Sequence, residues 1–308
     1  MYIVSSTKKK KKEKAKSTIS HTLLTICPFT CSAIEHARLD IQAAAIVEMI
    51  GGAPFLAYNR HLNQVNKAAD IGCGTGVATI QLAHLLPTAK VFGIDLTPVP
   101  EPARLIAPAN AHWVAGNILD VDMQNHNDHM SSESLAPGTV DYLFGRMLFL
   151  GINDWPGYCQ VAAESLREGG VLEHQDLDWR FYRTGTDKCL SDAWPWHARL
   201  MEAVNAAGLS QISGSNVAPL LEAAGLTVLE KQTFEFSFVP SPKAPRSQTM
   251  GRYVQKKLMP NYPELLRKMM TPMGVSQREL EEMTRDALRD LASEEGVHQK
   301  YTITIAKK

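Results

Sequence analysis

Asp70, Gly72, Gly74 and Gly76 stand in the stretch AADIGCGTGVATIQLA (Ala68–Ala83) at a spacing suited to holding a charged ligand. A short apolar run leads into the glycines, and a helical pattern follows them. Glycine lets the chain turn sharply and lets a ligand lie against bare main chain. The free N–H groups that open the next helix attract acceptor oxygens. A dinucleotide loop is spaced G-x-G-x-x-G/A, and its third small position is occupied here by Val77. Asp70 would also repel a pyrophosphate, whereas a carboxylate suits a cationic ligand. Taken alone, the loop also reads as a tight turn with no ligand.

A second segment narrows the choice. AKVFGIDLTP (Ala89–Pro98) carries a short apolar strand that ends at Asp95. That is roughly 20 residues past the loop, where nucleotide-binding α/β sheets place a ribose-binding acid. A third strand pattern, AHWVAGNILD (Ala111–Asp120), ends in Gly116-Asn117-Ile118. The Asn117 amide suits an adenine edge and Ile118 a ring face, although a Gly-Asn pair is also an ordinary turn. Together the three segments favour S-adenosylmethionine, whose ammonium and sulfonium are both positive. A dinucleotide is the alternative.

These residues must be positioned by alternating strands and helices. Strands are read at Lys67–Ile71, Val91–Ile94, His112–Ala115, Val140–Phe144 and Val171–Gln175. Helices are read at Val77–Leu86 and at Pro156–Glu168, the latter stopped by Gly169-Gly170. Such alternation implies a parallel sheet covered on both faces, with ligand loops at the strand C-termini. Apolar spacing from Ile34 to Met49, closed by Gly51-Gly52, predicts a helix over Ala33–Gly51. It and a short helix in Phe55–Asn63 precede the first strand as a lid. Further helices are expected over Trp194–Gly208 and Asn216–Ala224, then an alternating strand over Thr227–Phe238. Gly251–Leu291 reads as helical, broken at Pro260, Pro263 and Pro272, before a final strand over Lys300–Ala306. The expected fold class is α/β. It is a Rossmann-like, seven-stranded, mostly parallel sheet with one antiparallel member and with N- and C-terminal helical lid elements. The methyl-donor domain is expected to span 33–308, with a helical insertion at about 243–295.

The 308-residue chain has a formal net charge of zero, so no global field favours nucleic acid or an anionic membrane. No apolar run approaches the ~20 residues needed to span a bilayer. Lys8–Lys12 is an unbroken basic run, extended by Lys14 and Lys16. Residues 1–32 are read as a disordered basic tail, with nuclear import or polyanion binding as the minority reading. Five cysteines (Cys27, Cys31, Cys73, Cys159 and Cys189) show no paired framework, which favours reduced thiols and a cytoplasmic setting. Cys27 and Cys31 lack a second ligand pair for zinc, and no metal is expected.

With DIGCGTG (Asp70–Gly76), GIDLTPVP (Gly93–Pro100), GNILD (Gly116–Asp120) and LREGGVLEHQDLDW (Leu166–Trp179), the chain resembles a class I S-adenosylmethionine-dependent methyltransferase. It is most similar to the fungal secondary-metabolite methyltransferases. RMLFLGINDWPGY (Arg146–Tyr158) and SGSNVAPLLEAAG (Ser213–Gly225) add to the likeness. The resemblance implies that Asp70, Gly72, Gly74 and Gly76 hold the methionine part. It implies that Asp95 and Leu96 hold ribose and adenine, and that Asn117 and Ile118 meet the adenine edge. Many relatives carry Asp where Asn117 stands. The implied activity is methyl transfer to O, N or S of a small-molecule natural product.

The mouth of such a site lies after strands four and five. Arg146 and Met147 follow the fourth, and Trp155 lies a little further on. His174, Asp176 and Trp179 end or follow the fifth. His174 and Asp176 share one strand face and are the candidate catalytic groups, His174 as general base. The competing reading packs His174 between sheet and helix. Arg146, Met147, Trp155 and Trp179 are candidate substrate contacts, with Arg146 also suited to bracing a carboxylate. Trp194 and Trp196 read either as part of an aromatic substrate wall or as core. The Met-rich stretch Met259–Met283 reads first as core and second as an adaptable lid. The segment Gly145-Arg146-Met147 lacks the Pro-Pro-aromatic pattern of nucleic-acid methylation, and no metal-ligand pair ends strands four and five. Two other functions stay open: a methyltransferase-like nuclear regulator of secondary metabolism, and an S-adenosylmethionine-binding scaffold for non-methylating chemistry. Nothing in the sequence fixes an oligomeric state.

Overall fold

The computed structural model describes residues 33–62, 64–119 and 133–308. The Lys-rich segment with Cys27 and Cys31, and most of the polar stretch Asn125–Gly138, lie outside the described residues.

The chain opens with α1 (Ala33–Met49) and the single-turn α2 (Tyr58–His61). There follow β1 (Lys67–Ile71), α3 (Val77–Leu85), β2 (Lys90–Asp95), α4 (Glu101–Ile106), β3 (Ala111–Ala115) and β4 (Val140–Arg146). Next come α5 (Trp155–Ser165), β5 (Leu166–Arg183), α6 (Pro195–Ala206), α7 (Ser213–Ala223) and β6 (Thr227–Ser237). The C-terminal part holds α8 (Gln248–Tyr253), one π-helical turn (Val254–Leu258), α9 (Tyr262–Met270), α10 (Gln277–Leu291) and β7 (Val297–Lys307).

The sheet has seven strands in the order β3-β2-β1-β4-β5-β7-β6, and β7 alone runs antiparallel to its neighbours. This is the expected Rossmann-like arrangement. Strand order reverses between β1 and β4, and a crevice opens outside the carboxyl ends of strands at such a point. Both faces are covered, as near-continuous apolar strands require. On one face Tyr142, Phe144, Leu177, Phe181 and Ile303 pack against α1, α3, α6, α9 and α10. On the other Ile71, Phe92, Leu143 and Leu172 pack against Tyr158 and Cys159 of α5 and Val217 and Leu221 of α7.

The boundaries around β5 differ from expectation, its end included, which falls at Arg183 rather than Gln175. The helix expected over Pro156–Glu168 stops at Ser165, and β5 starts at Leu166 rather than Val171. The C-terminus recruits the glycine pair into the sheet: Gly169 N donates to Lys308 O (3.1 Å) and Lys308 N to Gly170 O (3.0 Å). Such pairing depends on a segment over a hundred residues away and leaves no local signal. Pro263 does not break a helix. It sits in the first turn of α9, where the missing N–H has no intrahelical partner to lose.

The two lid elements hold one another. Arg38 on α1 donates to the Tyr253 hydroxyl on α8, and Thr249 Oγ1 donates to Glu48 Oε1 at 2.6 Å. The loop before α2 is tied to the sheet by Glu173. This fully buried carboxylate accepts from Leu56 N (3.0 Å), Ala57 N (2.8 Å), Tyr142 Oη (2.8 Å) and Gln175 Nε2 (2.6 Å).

Candidate functional site

A cavity of about 390 Å3 lies across the carboxyl ends of β1, β2 and β4 and runs under α1 and the α8–α9 segment. Its first half is built on the glycine loop. Gly72, Gly74 and Gly76 all have positive φ (65°, 54° and 82°), a conformation that excludes most side chains. They are not equivalent in what surrounds them. A Cβ on Gly72 would meet Leu148 Cδ2 at 2.4 Å, and one on Gly76 would meet Trp113 at 2.8 Å. A Cβ on Gly74 would point into open space. Gly72 and Gly76 are thus glycines for packing, and Gly74 leaves a cradle beside the cavity. Thr75 Oγ1 donates to Asp40 Oδ1 (2.7 Å), fastening the loop to the lid helix α1.

Asp95 is organised from the loop. Its Oδ2 accepts from Gly74 N at 2.9 Å. Its Oδ1 accepts from Thr97 N at 2.9 Å and from Thr97 Oγ1 at 3.0 Å. Oδ1 thus holds two donors already, and Oδ2 keeps one further lone pair for a ligand hydroxyl. Leu96, Asn117 and Ile118 stand beside Asp95 on the cavity wall. Asn117 Oδ1 accepts from Leu119 N (3.0 Å) and keeps one lone pair, and its Nδ2 is a donor. The amide can therefore meet an adenine edge as donor through Nδ2 or as acceptor through the remaining lone pair of Oδ1. An open cradle beside a carboxylate with spare acceptor capacity fits S-adenosylmethionine.

Past the loop, Arg146 and Met147 line the cavity from the end of β4. Met147 is the one non-glycine residue with positive φ (57°) among the described residues. Such backbone costs roughly 1–2 kcal/mol, and the bond from Met147 N to Gln175 O (2.9 Å) helps hold it. Beyond them the cavity becomes apolar. Phe149, Leu177, Trp179, Phe181, Phe236, Phe238, Leu258, Tyr262 and Leu265 form its inner wall.

Several expected site residues are placed elsewhere. Asp70 is buried beneath the loop, where its Oδ2 accepts from Thr79 Oγ1 at 2.7 Å, and it does not line the cavity. Burial pushes its carboxyl up to about 6, against the opposing effects of Thr79 and the Arg146 charge. Gly76 likewise packs against Trp113 and Val99 and not on the cavity. His174 and Asp176 are corrected as catalytic groups. Both are fully buried, and β5 continues past them, so they lie within the strand and not at its mouth. Their face is covered by α5 and α7: His174 packs on Trp155 (5.4 Å) and Tyr158 (5.7 Å), and its Nδ1 lies 3.3 Å from the Tyr158 hydroxyl. A Cβ on Gly214 of α7 would meet Asp176 O at 2.6 Å, which shows how closely that helix seals the strand. Trp155, expected at the substrate, is corrected with them, because it is core on that same face. Trp194 and Trp196 stack on each other (5.4 Å) away from the cavity, and Met269, Met270 and Met283 are core.

Some of the wall was not singled out in the sequence. Glu35, His36, Arg38, Leu39 and Gln42 of α1 line the cavity, as do Phe181, Phe236 and Phe238. The alternation Phe234-x-Phe236-x-Phe238 carried a usable signal, since one face of a strand repeats every second residue. Among the described residues no cluster of His, Cys, Asp and Glu could hold a metal ion.

Comparison with known proteins adds to the geometry. A model of a methyltransferase domain matches residues 51–231. Methyltransferase str2 of Strobilurus tenacellus is 26% identical over 227 residues, spanning 73% of this chain and 76% of that protein. Secondary metabolism regulator LAE1 of Cochliobolus heterostrophus is 25% identical over 234 residues, spanning 73% and 70%. A crystal structure assigned as a sarcosine dimethylglycine methyltransferase from Galdieria sulphuraria superposes with a TM-score of 0.50 at 16% identity. It covers 88% of this chain and 86% of that one, and at that identity it speaks to the fold alone.

Proposed function

This chain belongs to the methyltransferase-domain family and is an S-adenosylmethionine-dependent methyltransferase; from that premise we propose that it methylates O, N or S of an apolar small molecule in fungal secondary metabolism. One observation carries the proposal: the cavity is continuous from the Asp95 end to a wall of aromatic and aliphatic side chains. Such lining suits a natural product of low polarity. The likeness to str2 supports the same reading.

S-adenosylmethionine supplies a methyl carbon on a positive sulfur, and the sulfur keeps the electron pair as the acceptor atom attacks in line. The protein's work is alignment and exclusion of water. Asp95 Oδ2 accepts from a ribose hydroxyl, and the Asn117 amide meets the adenine edge between Leu96 and Ile118. Gly74 leaves room for the methionine part. Asp70 acts through its charge from below the loop. Met147 and Phe149 close the junction between the two halves. Where the acceptor must lose a proton, His36 is the imidazole among the described lining residues and the side chain suited to take it. Buried Cys73 and Cys159 and half-buried Cys189 are all free thiols, which supports a cytoplasmic setting. Among the described residues no helix is long and apolar enough to cross a membrane.

The test is calorimetry with S-adenosylmethionine and S-adenosylhomocysteine, followed by a screen for S-adenosylhomocysteine release across apolar metabolites. Binding with release for at least one metabolite is expected. Saturation by a nicotinamide coenzyme with no response to either sulfur compound would overturn the reading. The likeness to LAE1 favours one second reading, regulation of secondary metabolism. Deleting the gene separates them: loss of one methyl group from one metabolite supports the enzyme, and collapse of several pathways at once supports the regulator.

A further inference from the structure

Arg146 is a half-buried cation on the cavity wall. Among the described residues no carboxylate lies within ion-pair distance of it, and its Nη1 is buried with no hydrogen-bond partner. Its recorded contact is with the face of Phe144, 5.7 Å from the ring centroid. A buried donor left without a hydrogen bond is costly even when the rest of its half-buried residue reaches solvent. The other arginine on the wall, Arg38, has its pair already: Glu35 takes both Nε (2.7 Å) and Nη2 (2.6 Å). Two more polar groups on the inner wall are also without partners among the described residues. Trp179 Nε1, which can only donate, and the Tyr262 hydroxyl are buried and make no hydrogen bond, and each residue is 3% exposed. The residue next to Arg146, Met147, holds the left-handed backbone described above, and strain of that kind collects at ligand sites.

The charges at the junction point the same way. The methyl donor carries one net positive charge, and Arg146 adds another. Asp70 is the nearby acid, and Asp95 lies at the ribose end, partly exposed. A neutral acceptor would leave the junction with a surplus positive charge among apolar walls.

We propose that the acceptor is an apolar molecule bearing an oxyanion, a carboxylate or an ionised enol or phenol, which pairs with Arg146, with Trp179 Nε1 and the Tyr262 hydroxyl as further donors on the wall of the same cavity. This rests on the methyl-donor reading and names the substrate class of that same site. The guanidinium fork matches a carboxylate in two parallel bonds, which gives orientation as well as affinity.

The test uses isosteric pairs on the full chain saturated with S-adenosylhomocysteine: 1-naphthoate against 1-naphthamide, and dodecanoate against dodecanamide. Each carboxylate is expected to bind at least tenfold more tightly than its amide in one or both pairs. Arg146→Gln should erase that preference, Arg146→Lys should restore part of it, and S-adenosylhomocysteine affinity should move less than threefold. Four results overturn the proposal: neither carboxylate binds the native protein; acid and amide bind alike; Arg146→Gln weakens both members of a pair equally; or it weakens S-adenosylhomocysteine alone, which assigns the cation to the methionine carboxylate instead. Titration with 5′-methylthioadenosine, which lacks the amino-acid part, separates failures. If it and S-adenosylhomocysteine both leave the native protein unsaturated, the donor reading has failed. If they bind and the acid preference is absent, the claim about Arg146 alone has failed.

Discussion

Replacing Asp95 with alanine is the sharpest test of how the cavity holds its donor. Asp95 has two duties. Its oxygens fix Gly74 N and the Thr97 N–H and hydroxyl at 2.9–3.0 Å, and Oδ2 has one lone pair left for the ribose. Hydrogen bonds to a charged group contribute about 1.5–3 kcal/mol each. Loss of the one left for ribose removes about 1.5–3 kcal/mol, or roughly 10–10²-fold in affinity. Asparagine keeps the shape but not the acceptors. Its amide nitrogen must face either Gly74 N–H or the Thr97 donors, so Asp95→Asn is expected to lose most of what alanine loses. The assay is calorimetric titration with S-adenosylhomocysteine, with thermal melts to establish that each variant is folded. A folded Asp95→Ala variant whose affinity stays within about fivefold of native would refute the placement of ribose against this carboxylate.

Three further outcomes are expected. His174→Ala should lower stability by about 2–3 kcal/mol, as a buried ring lost from the core does, yet leave S-adenosylhomocysteine affinity unchanged; a stable variant that binds the donor but has no turnover would restore His174 to catalysis. Asp70 sets a pH dependence. Its carboxyl is raised to about 6, so it loses its negative charge as pH falls through that value, and preference for S-adenosylmethionine over the uncharged-sulfur product should fall with it, by at most about tenfold per pH unit. The same shift makes folding of the free protein less favourable as pH rises through 6, so Asp70→Asn should flatten the ligand profile and raise the melting temperature at pH 7.5. Glu173→Gln should cost about 2–4 kcal/mol, because all four groups it binds are donors and an amide nitrogen must oppose one of them; comparison of urea midpoints measures it, and a change under 1 kcal/mol would show that the loop before α2 does not depend on that carboxylate.

What the sequence revealed follows the range of the forces involved. The first three strands and the residues after them are local constructions: apolar run, turn residues, helix start. Gly72, Gly74, Asp95 and Asn117 could therefore be brought to one edge from spacing alone. The extent of β5 could not. Its first residues are drawn into the sheet by Lys308, and its last pair with Val297–Gln299, so no nearby residue marks either end. That one length decided the fate of His174 and Asp176. A strand stopping at Gln175 would have left them at the mouth; a strand running to Arg183 buries them under α5 and α7. Trp155 failed for a related reason. Sequence proximity to Arg146 says nothing about which sheet face a side chain takes, and α5 lies on the face opposite the aromatic wall.

The division of the cavity between two sets of strands bears on how such a protein diversifies. The proposed donor contacts come from the ends of β1, β2 and β3. The aromatic lining comes from the distal reach of β5, from β6 and the residue after it, and from the segment crossing between β6 and β7. Exchanging Phe181, Phe236 or Phe238 for smaller or bulkier residues can remodel the acceptor chamber while the grip on the nucleoside stays intact. A lineage can then sample new metabolites without first surrendering its reaction.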